Sequence, residues 1–133
     1  MEVNIAIDTN ILVDFFRGNS AIKNHLQRCE EIFVPYVVLG EIRAGFLCGA
    51  RGLRNEKVLT HFLASSRTDI LFPNEDTTHH YARLFHQLRT QGTPIPTNDL
   101  WIAALCLQHD IALFTSDKHF GHIPQLIHIS PPA

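Results

Sequence analysis

The sequence predicts an α/β fold with three layers, α/β/α, around a central, mostly parallel sheet of about four to five strands. Short β-type runs alternate with longer helical runs along the whole chain. Strands separated by helices are joined by right-handed crossovers, and crossovers of this kind build parallel sheets. The length of 133 residues corresponds to a single domain, residues 1–133.

The first half of the chain contains two predicted strands and four predicted helices. The strands are expected at residues 3–7 and 32–34, and the helices at about residues 10–17, 20–28, 37–48 and 56–65. Gly18 and the glycine-bearing stretch CGARG end the first and third helices. Ser20 is expected to cap the second helix, and Pro35 to stop the second strand.

The second half continues the alternation of strands and helices. Strands are expected at residues 69–73, 111–114 and 126–129, and helices at residues 75–91, 98–108 and 116–120. Asn74 caps the helix at residues 75–91 and Gly92 ends it. The helix at residues 98–108 is apolar nearly all round, so it is expected to be buried.

Composition excludes several classes of protein. The longest apolar runs, residues 32–39 and 100–107, are much shorter than the roughly 20 residues that a membrane span needs, so no membrane association is expected. The N-terminus lacks the basic flank of a signal peptide. Cys29, Cys48 and Cys106 are odd in number and lie in apolar contexts, so we interpret them as buried free thiols of a cytoplasmic protein.

The net charge of −2 does not indicate a nucleic-acid partner. The densest local group of basic residues is Arg43, Arg51, Arg54 and Lys57, with Glu56 among them. Taken alone, this group is typical of a solvated helix face and loop. It is nevertheless the candidate for a local surface that guides a nucleic-acid backbone.

Asp8 and Asp117 each follow a predicted strand, at the edge where parallel sheets bind ligands. Both also precede helices, so capping is the structural alternative for each. Thr9 and Asn10 are equally good caps, which would free Asp8 for another role. If the two strands are neighbours, the two carboxylates lie side by side, and such a pair is unfavourable unless a cation separates it.

Asp99 and Glu41 are the other two acids of interest. Asp99 lies in the first turn of a helix, where the helix dipole alone stabilises a carboxylate by about 0.3–1 kcal/mol. Glu41 borders an apolar helix face, with pairing to Arg43 as the alternative explanation. Together the four acids suggest a carboxylate cluster of the kind that binds Mg²⁺ or Mn²⁺. Such ions activate water for phosphodiester cleavage.

Several of the nine histidines are possible metal ligands. His79 and His80 are adjacent, so they point to different helix faces. His119 and His122 have helical spacing, but no cysteine or third ligand is near them in the sequence. We interpret these residues as surface or packing residues, with a zinc site as the alternative.

Four stretches together resemble the successive motifs of the PIN-domain family, and most closely those of VapC-type toxins of type II toxin–antitoxin systems. They are IAIDTNILVDFF, VLGEIRAG, IPTNDLWIAALCL and LFTSDKHF, in that order along the chain. The resemblance implies a PIN-like fold and an endoribonuclease that depends on Mg²⁺ or Mn²⁺. It also implies that the acidic quartet is Asp8, Glu41, Asp99 and Asp117, and that the supporting polar residues are Thr9, Asn10, Thr115 and Ser116.

The resemblance further implies a homodimer that a cognate antitoxin holds inactive, and an RNA substrate cut by metal-activated water. In our hypothesis Asp8, Asp99 and Asp117 hold the metal directly or through water, and Glu41 completes its shell, orients a water or helps to hold a second ion. Two alternatives remain at this point. One is a phosphatase with an aspartyl nucleophile, for which only Lys118 is a suitably placed lysine. The other is a non-catalytic module that binds RNA or protein.

Overall fold

The structure is a computed structural model that describes residues 4–132. Within that range the chain forms five strands, six α-helices and one 3₁₀ helix. The strands are β1 (Asn4–Ile7), β2 (Glu31–Pro35), β3 (Thr68–Leu71), β4 (Ala112–Phe114) and β5 (His128–Ile129). The helices are α1 (Thr9–Phe16), α2 (Ser20–Gln27), α3 (Tyr36–Cys48), α4 (Gly52–Leu63), α5 (Glu75–Gln91), α6 (Thr97–His109) and the 3₁₀ helix Lys118–His122.

The five strands form one sheet in the order β3-β2-β1-β4-β5, and every neighbouring pair is parallel. Helices flank this sheet, so the predicted α/β/α fold class is confirmed. The strand β1 lies at the centre, with Ile5 opposite Ile32 on one side and Ile7 opposite Phe114 on the other. The chain therefore builds β2 and β3 on one side of β1 before it crosses to β4.

This order makes β1 and β4 the switch point of the sheet, where the direction of strand addition reverses. In open parallel sheets the crevice beyond the carboxyl ends of two such strands is the usual ligand site. Asp8 follows the last residue of β1, and the segment after β4 leads to Asp117. The two acids therefore follow neighbouring strands, which is the condition that the sequence alone left open.

Buried side chains of β1 and α6 hold this edge of the sheet in place. Ile5, Ala6 and Ile7 are fully buried, as expected for a central strand that is covered on both faces. The helix α6 is buried along most of its length, as its apolar sequence predicts, with Leu100 and Ile102 in the core. The first turn of α6, which carries Asp99, is thus anchored against the core.

Local signals predict some element ends correctly and others not. The helix α5 has the predicted bounds, with the side chain of Asn74 accepting a hydrogen bond from the N–H of Thr77 and Gly92 at φ 78° after its last residue. The helix α2 is capped by Asn19 and not by Ser20, because the Asn19 side chain accepts the N–H of Ile22 at 3.1 Å.

Other predicted bounds differ by a few residues. The helix α4 starts at Gly52 instead of at residue 56, β5 covers only His128–Ile129, and Pro35 is the last residue of β2. The strand predicted from residue 3 starts at Asn4 in the described range, and residue 3 lies outside the described residues.

The three cysteines differ in their surroundings. Cys29 and Cys106 are buried, as predicted, with the thiol of Cys29 donating to the carbonyl of His25 at 3.5 Å, and burial raises the pKa of Cys106 to about 12. The prediction for Cys48 is wrong, because this residue ends α3 next to the exposed turn at Gly49 and is itself exposed. In residues 4–132 no helix is long and apolar enough to cross a membrane.

Candidate active site

Asp8 lies between the end of β1 and the first residue of α1, and only 4% of it is exposed. Its Oδ1 accepts a hydrogen bond from the backbone N–H of Thr9 at 2.8 Å, and its Oδ2 accepts one from Oγ1 of Thr115 at 2.7 Å. Asp8 is therefore the cap of α1, so the expectation that Thr9 or Asn10 takes this role is wrong. The extended backbone of Asp8 directly before the helix puts its side chain over the first N–H.

The carboxyl of Asp8 is buried and lies near other negative charges, neither of which a helix cap requires. Burial raises the pKa of this carboxyl, and the hydrogen bonds from Thr115 and Thr9 offset part of that rise. The negative charges of Asp117 and Glu41 raise the pKa further. A buried carboxylate facing two others is costly in an ion-free site, and a bound cation would remove that cost.

Thr115 connects two of the acids. Its buried hydroxyl donates to Asp8 and accepts the backbone N–H of Asp117 at 3.0 Å. Asp117 in turn caps the 3₁₀ helix, with Oδ1 accepting the N–H of His119 at 2.9 Å. Both strand-end acids therefore act as caps, and one hydroxyl fixes their relative position. Ser116, the neighbouring polar residue, is exposed.

Glu41 reaches the same region from α3. Its Oε1 accepts a hydrogen bond from Oγ1 of Thr9 at 2.7 Å, so the residue directly after Asp8 holds the carboxylate of Glu41. Glu41 is exposed, but Val38 and Ile42 beside it on α3 are buried, so it borders the buried face as predicted. The alternative of pairing with Arg43 is wrong, since Arg43 bonds to Glu56 at 2.9 Å. Asn10 is exposed.

Asp99 approaches from the first turn of α6, with 14% of its side chain exposed. Burial is the main cause that raises the pKa of this carboxyl to about 6, followed by the charges of Asp117 and Asp8. The charge of Glu41 raises it further, whereas His119 lowers it. The four predicted acids thus share one electrostatic field, although they lie on four different segments of the chain.

A cavity of about 420 Å³ opens over these residues. Its lining includes three of the four acids and consists of Glu41, Pro96, Thr97, Asn98, Asp99, Asp117 and His119. Three carboxylates therefore face one cavity.

His119 is a further potential metal ligand, to which the sequence interpretation gave no functional role. Its Nδ1 lies 2.9 Å from Oδ1 of Asp117 and 3.6 Å from Oδ2 of Asp99. His119 is exposed, in agreement with its interpretation as a surface residue, but tertiary structure places beside it the two carboxylates that its sequence neighbourhood lacked. The available signal was its position two residues after Asp117, since a capping acid bonds the N–H of a residue at that distance.

The donor atoms fit a divalent cation. Asp99, Asp117 and His119 each offer one ligand atom, and these atoms lie within 4.8 Å of one another. Carboxylate oxygens are the ligands that Mg²⁺ and Mn²⁺ take in proteins. The mutual repulsion of Asp8, Asp99, Asp117 and Glu41, visible in the raised pKa values of Asp8 and Asp99, is the condition that a bound cation relieves.

Three of the four predicted basic residues, Arg43, Arg51 and Arg54, line a different cavity of about 870 Å³ at α3 and α4, and Lys57 lies further along α4. Arg43 makes two bonds to Glu56, at 2.9 and 3.2 Å, and this pairing lowers the pKa of Glu56. Arg51, Arg54 and Lys57 are exposed. Glu56 thus neutralises the charge of Arg43. The positive charge that an anion could meet is that of the three exposed residues in α4 and directly before it.

The sheet order and the acidic cavity define a class of protein, and comparison with known families identifies it. The model of the PIN domain matches residues 5–126, so the chain belongs to the PIN-domain family. Among curated relatives, it is 29% identical to Ribonuclease VapC1 of Haemophilus influenzae over 127 residues, which cover 90% of this chain and 92% of the relative. It is 31% identical to Ribonuclease VapC4 of Mycobacterium tuberculosis over 93 residues, 70% of this chain and 72% of the relative.

Solved structures extend the comparison. VapBC2 of Rickettsia felis, bound to a DNA fragment from its promoter, superimposes with a TM-score of 0.86 at 27% identity, covering 97% of this chain and 99% of that one. VapBC-1 of nontypeable Haemophilus influenzae has the same fold, with a TM-score of 0.83 at 24% identity and coverage of 96% and 97%. The resemblance found in the sequence motifs is thereby confirmed.

Proposed function

We propose that this chain is a metal-dependent endoribonuclease that acts as the toxin of a toxin–antitoxin pair. The observation that carries the proposal is the convergence of four acids beyond β1 and β4, with Asp8 buried and the pKa of Asp99 raised to about 6. The VapC ribonucleases among its relatives supply the substrate class, RNA. The proposed cofactor is Mg²⁺ or Mn²⁺.

In this proposal Asp8, Asp99 and Asp117 hold the ion, and Glu41 completes its surroundings. A divalent ion bound there supplies the activation of a water molecule and the stabilisation of the leaving oxygen in phosphodiester hydrolysis. The hydroxyl of Thr115 keeps Asp8 and the segment of Asp117 in fixed register. Ordered ligands of this kind reduce the reorganisation that the reaction requires.

Thr9 supports the site through Glu41. Its hydroxyl donates to Glu41 and leaves the second carboxylate oxygen of that residue for a water molecule or an ion. Thr9 therefore contacts two acids, because its backbone N–H donates to Asp8 and its hydroxyl donates to Glu41. This explains why a polar residue at position 9 is useful to a nuclease even though it does not cap the helix.

The two alternative functions fit the site less well. The phosphatase alternative depends on Lys118, and this exposed residue is not among the side chains that line the acidic cavity. A non-catalytic module would use the acids only as caps. Asp8 and Asp117 do cap helices, but capping gives no reason for Glu41 and Asp99 to enter the same field.

The metal is tested by thermal melting combined with RNA cleavage. Mn²⁺ at 100 times its dissociation constant is expected to stabilise the folded protein by about 2.7 kcal/mol, because it binds only the folded state. Cleavage of a labelled RNA is expected to stop when the metal is chelated and to resume when Mn²⁺ is restored.

Asp69→Asn, which removes an exposed carboxylate on β3, is the matched control and should keep both responses. A protein that melts at the same temperature with and without Mn²⁺, and cuts RNA in the presence of chelator, would contradict the metal-dependent mechanism.

The proposed partners are a cognate antitoxin, a second copy of the chain and the RNA substrate. The antitoxin is supported by structural relatives that were solved as VapBC complexes. A small reading frame directly upstream, whose product forms a complex with this chain and suppresses cleavage, would be the expected antitoxin. The homodimer is a proposal to be examined by light scattering.

The basic residues of α4 and the preceding turn are proposed to guide the RNA backbone. The double variant Arg51→Glu, Arg54→Glu is expected to weaken RNA binding and to reduce the slope of log K against log salt by about 0.7 for each phosphate that is no longer neutralised. Binding to a labelled RNA between low and moderate salt, measured with a Ca²⁺-loaded or chelated protein to prevent cleavage, gives the slope.

The double variant Arg83→Glu, Arg89→Glu, at two exposed positions of α5, changes the net charge by the same amount and is the control for charge alone. Equal losses of affinity in this control and in Arg51→Glu, Arg54→Glu would remove the assignment of RNA guidance to this surface.

A further inference from the structure

We propose that His119 is a nitrogen ligand of the catalytic ion and that the site therefore prefers a first-row transition ion such as Mn²⁺ to Mg²⁺. The inference rests on the proposed function, since it concerns the same acidic site. It differs from the sequence-based expectation, in which four carboxylates alone surround the metal and the histidines have no role.

The geometry places the imidazole among the metal-ligating atoms. Nδ1 of His119 is 2.9 Å from Oδ1 of Asp117 and 3.6 Å from Oδ2 of Asp99. One ligand atom from each of the three residues lies within 4.8 Å of the others, which is compact enough for a single ion to contact all of them. Within residues 4–132 this is the group of three metal-ligating side chains that meets such a distance limit.

The backbone of His119 is held in place by a hydrogen bond and by a buried neighbouring residue. The backbone N–H of His119 donates to Oδ1 of Asp117 at 2.9 Å, so the residue is held at the start of the 3₁₀ helix. The next residue, Phe120, is fully buried and anchors that helix in the core. The imidazole is thus attached to a rigid turn beside the acids, while half of its side chain remains exposed to the cavity.

The donor type determines which ions the site prefers. Mg²⁺ takes oxygen ligands in a nearly ideal octahedron and retains several waters, so a nitrogen donor adds little to its affinity. Imidazole nitrogen binds first-row transition ions more strongly than it binds Mg²⁺. A site of carboxylates plus His119 should therefore separate Mn²⁺ from Mg²⁺ more strongly than the same carboxylates alone.

The competing explanation is that His119 serves only as a positive counter-charge for Asp99 and Asp117. The two explanations predict opposite effects of removing the imidazole. Loss of a ligand weakens binding of a transition ion and spares Mg²⁺. Loss of a competing positive charge strengthens binding of both ions.

The experiment compares the wild type, His119→Gln and His122→Gln by calorimetric titration with Mn²⁺ and with Mg²⁺ at pH 8. Gln keeps a polar side chain of similar size but has no imidazole nitrogen. We expect His119→Gln to lose at least about 10-fold in Mn²⁺ affinity and to change less than about threefold in Mg²⁺ affinity. His122, exposed at the end of the same 3₁₀ helix, is the matched control, and its replacement should leave both affinities unchanged.

Electron spin-echo spectroscopy of bound Mn²⁺ gives a readout that is independent of affinity and of activity. A ¹⁴N coupling from a directly bound nitrogen is expected in the wild type and in His122→Gln, and should be absent in His119→Gln. If the wild type binds Mn²⁺ without this coupling, or if His119→Gln keeps the Mn²⁺ affinity of the wild type or binds both ions more tightly, the inference is overturned while the metal-dependent function stands. If the wild type binds neither ion, both the inference and the proposed metal dependence are overturned.

Discussion

Replacing Asp8 by Asn should lower the rate of RNA cleavage by at least about 10²-fold, the scale on which the loss of one group that supports charge in a transition state is felt. Asp8 is the buried centre of the acidic site, and the carboxylates of Asp117 and Glu41 both act on it. Asn removes the negative charge that would hold a divalent ion and keeps the size of the side chain. The loss should therefore be one of metal binding and catalysis.

The fold should survive this substitution. The Asn Oδ1 can still accept the N–H of Thr9, and the amide can donate to the hydroxyl of Thr115, which also accepts from Asp117. Since burial raises the pKa of Asp8, replacement by a neutral residue also relieves a cost in the ion-free protein. The melting temperature of the variant without metal should equal or exceed that of the wild type.

The measurement is the cleavage rate of a labelled RNA with Mn²⁺ present, together with a melting curve by circular dichroism. Asp14→Asn is the matched control, because this acid lies on the same helix α1, away from the hydrogen bonds of Asp8. The control should cut RNA at the rate of the wild type. A folded Asp8→Asn protein that also cuts at that rate would remove Asp8 from the active site.

Some features of the fold and site follow from signals that are local in the sequence. Asn74 and Gly92 each act within one turn of α5, so the bounds of that helix could be predicted. Asp8 and Asp117 could be predicted because a strand-to-helix junction in a parallel sheet is recognisable from pattern alone. Asp99 follows from the apolar character of α6, which predicts that its first turn abuts the core.

Other features depend on contacts between distant segments or on a choice between equivalent neighbours. The bond from Thr115 to Asp8 joins residues 107 positions apart, and no periodicity indicates it. His119 acquires its two carboxylate neighbours only when α6 and the 3₁₀ helix meet. The choice of Asp8 over Thr9 as a cap depends on where the strand ends to within one residue, which composition does not determine.

Replacing Asp99 by Asn should stabilise the metal-free protein at pH 7 by about 1–3 kcal/mol, although it should abolish cleavage. The pKa of Asp99 is raised from 3.8 to about 6, so the folded carboxyl keeps its proton over a pH range in which the unfolded one has lost it. The free energy of unfolding therefore falls as pH rises from about 3.8 to about 6, and stays low above that range. A difference of about two pKa units corresponds to roughly 3 kcal/mol, which is the upper end of the expected gain.

Saturating Mn²⁺ should reverse the order of stability. The ion binds the folded wild type and offsets the repulsion of Asp99 by Asp117 and Asp8, whereas the Asn variant lacks one ligand and gains little. Urea unfolding at pH 4, 5, 6 and 7, with chelator and with Mn²⁺, measures both effects. Without metal, the variant should show a weaker fall in stability with pH than the wild type, with the remainder arising from Asp8, whose pKa is also raised.

Asp69→Asn, the exposed carboxylate on β3, is again the control and should follow the wild type at every pH. If Asp99→Asn were less stable than the wild type in chelator at pH 7, Asp99 would have to be a structural residue that stabilises the first turn of α6. The reversal by metal distinguishes the two roles, because a helix-dipole contact is indifferent to Mn²⁺ and a repelled ligand is not. The repulsion among the acids thus destabilises the protein without metal, and relief of that repulsion contributes to the binding of the cation.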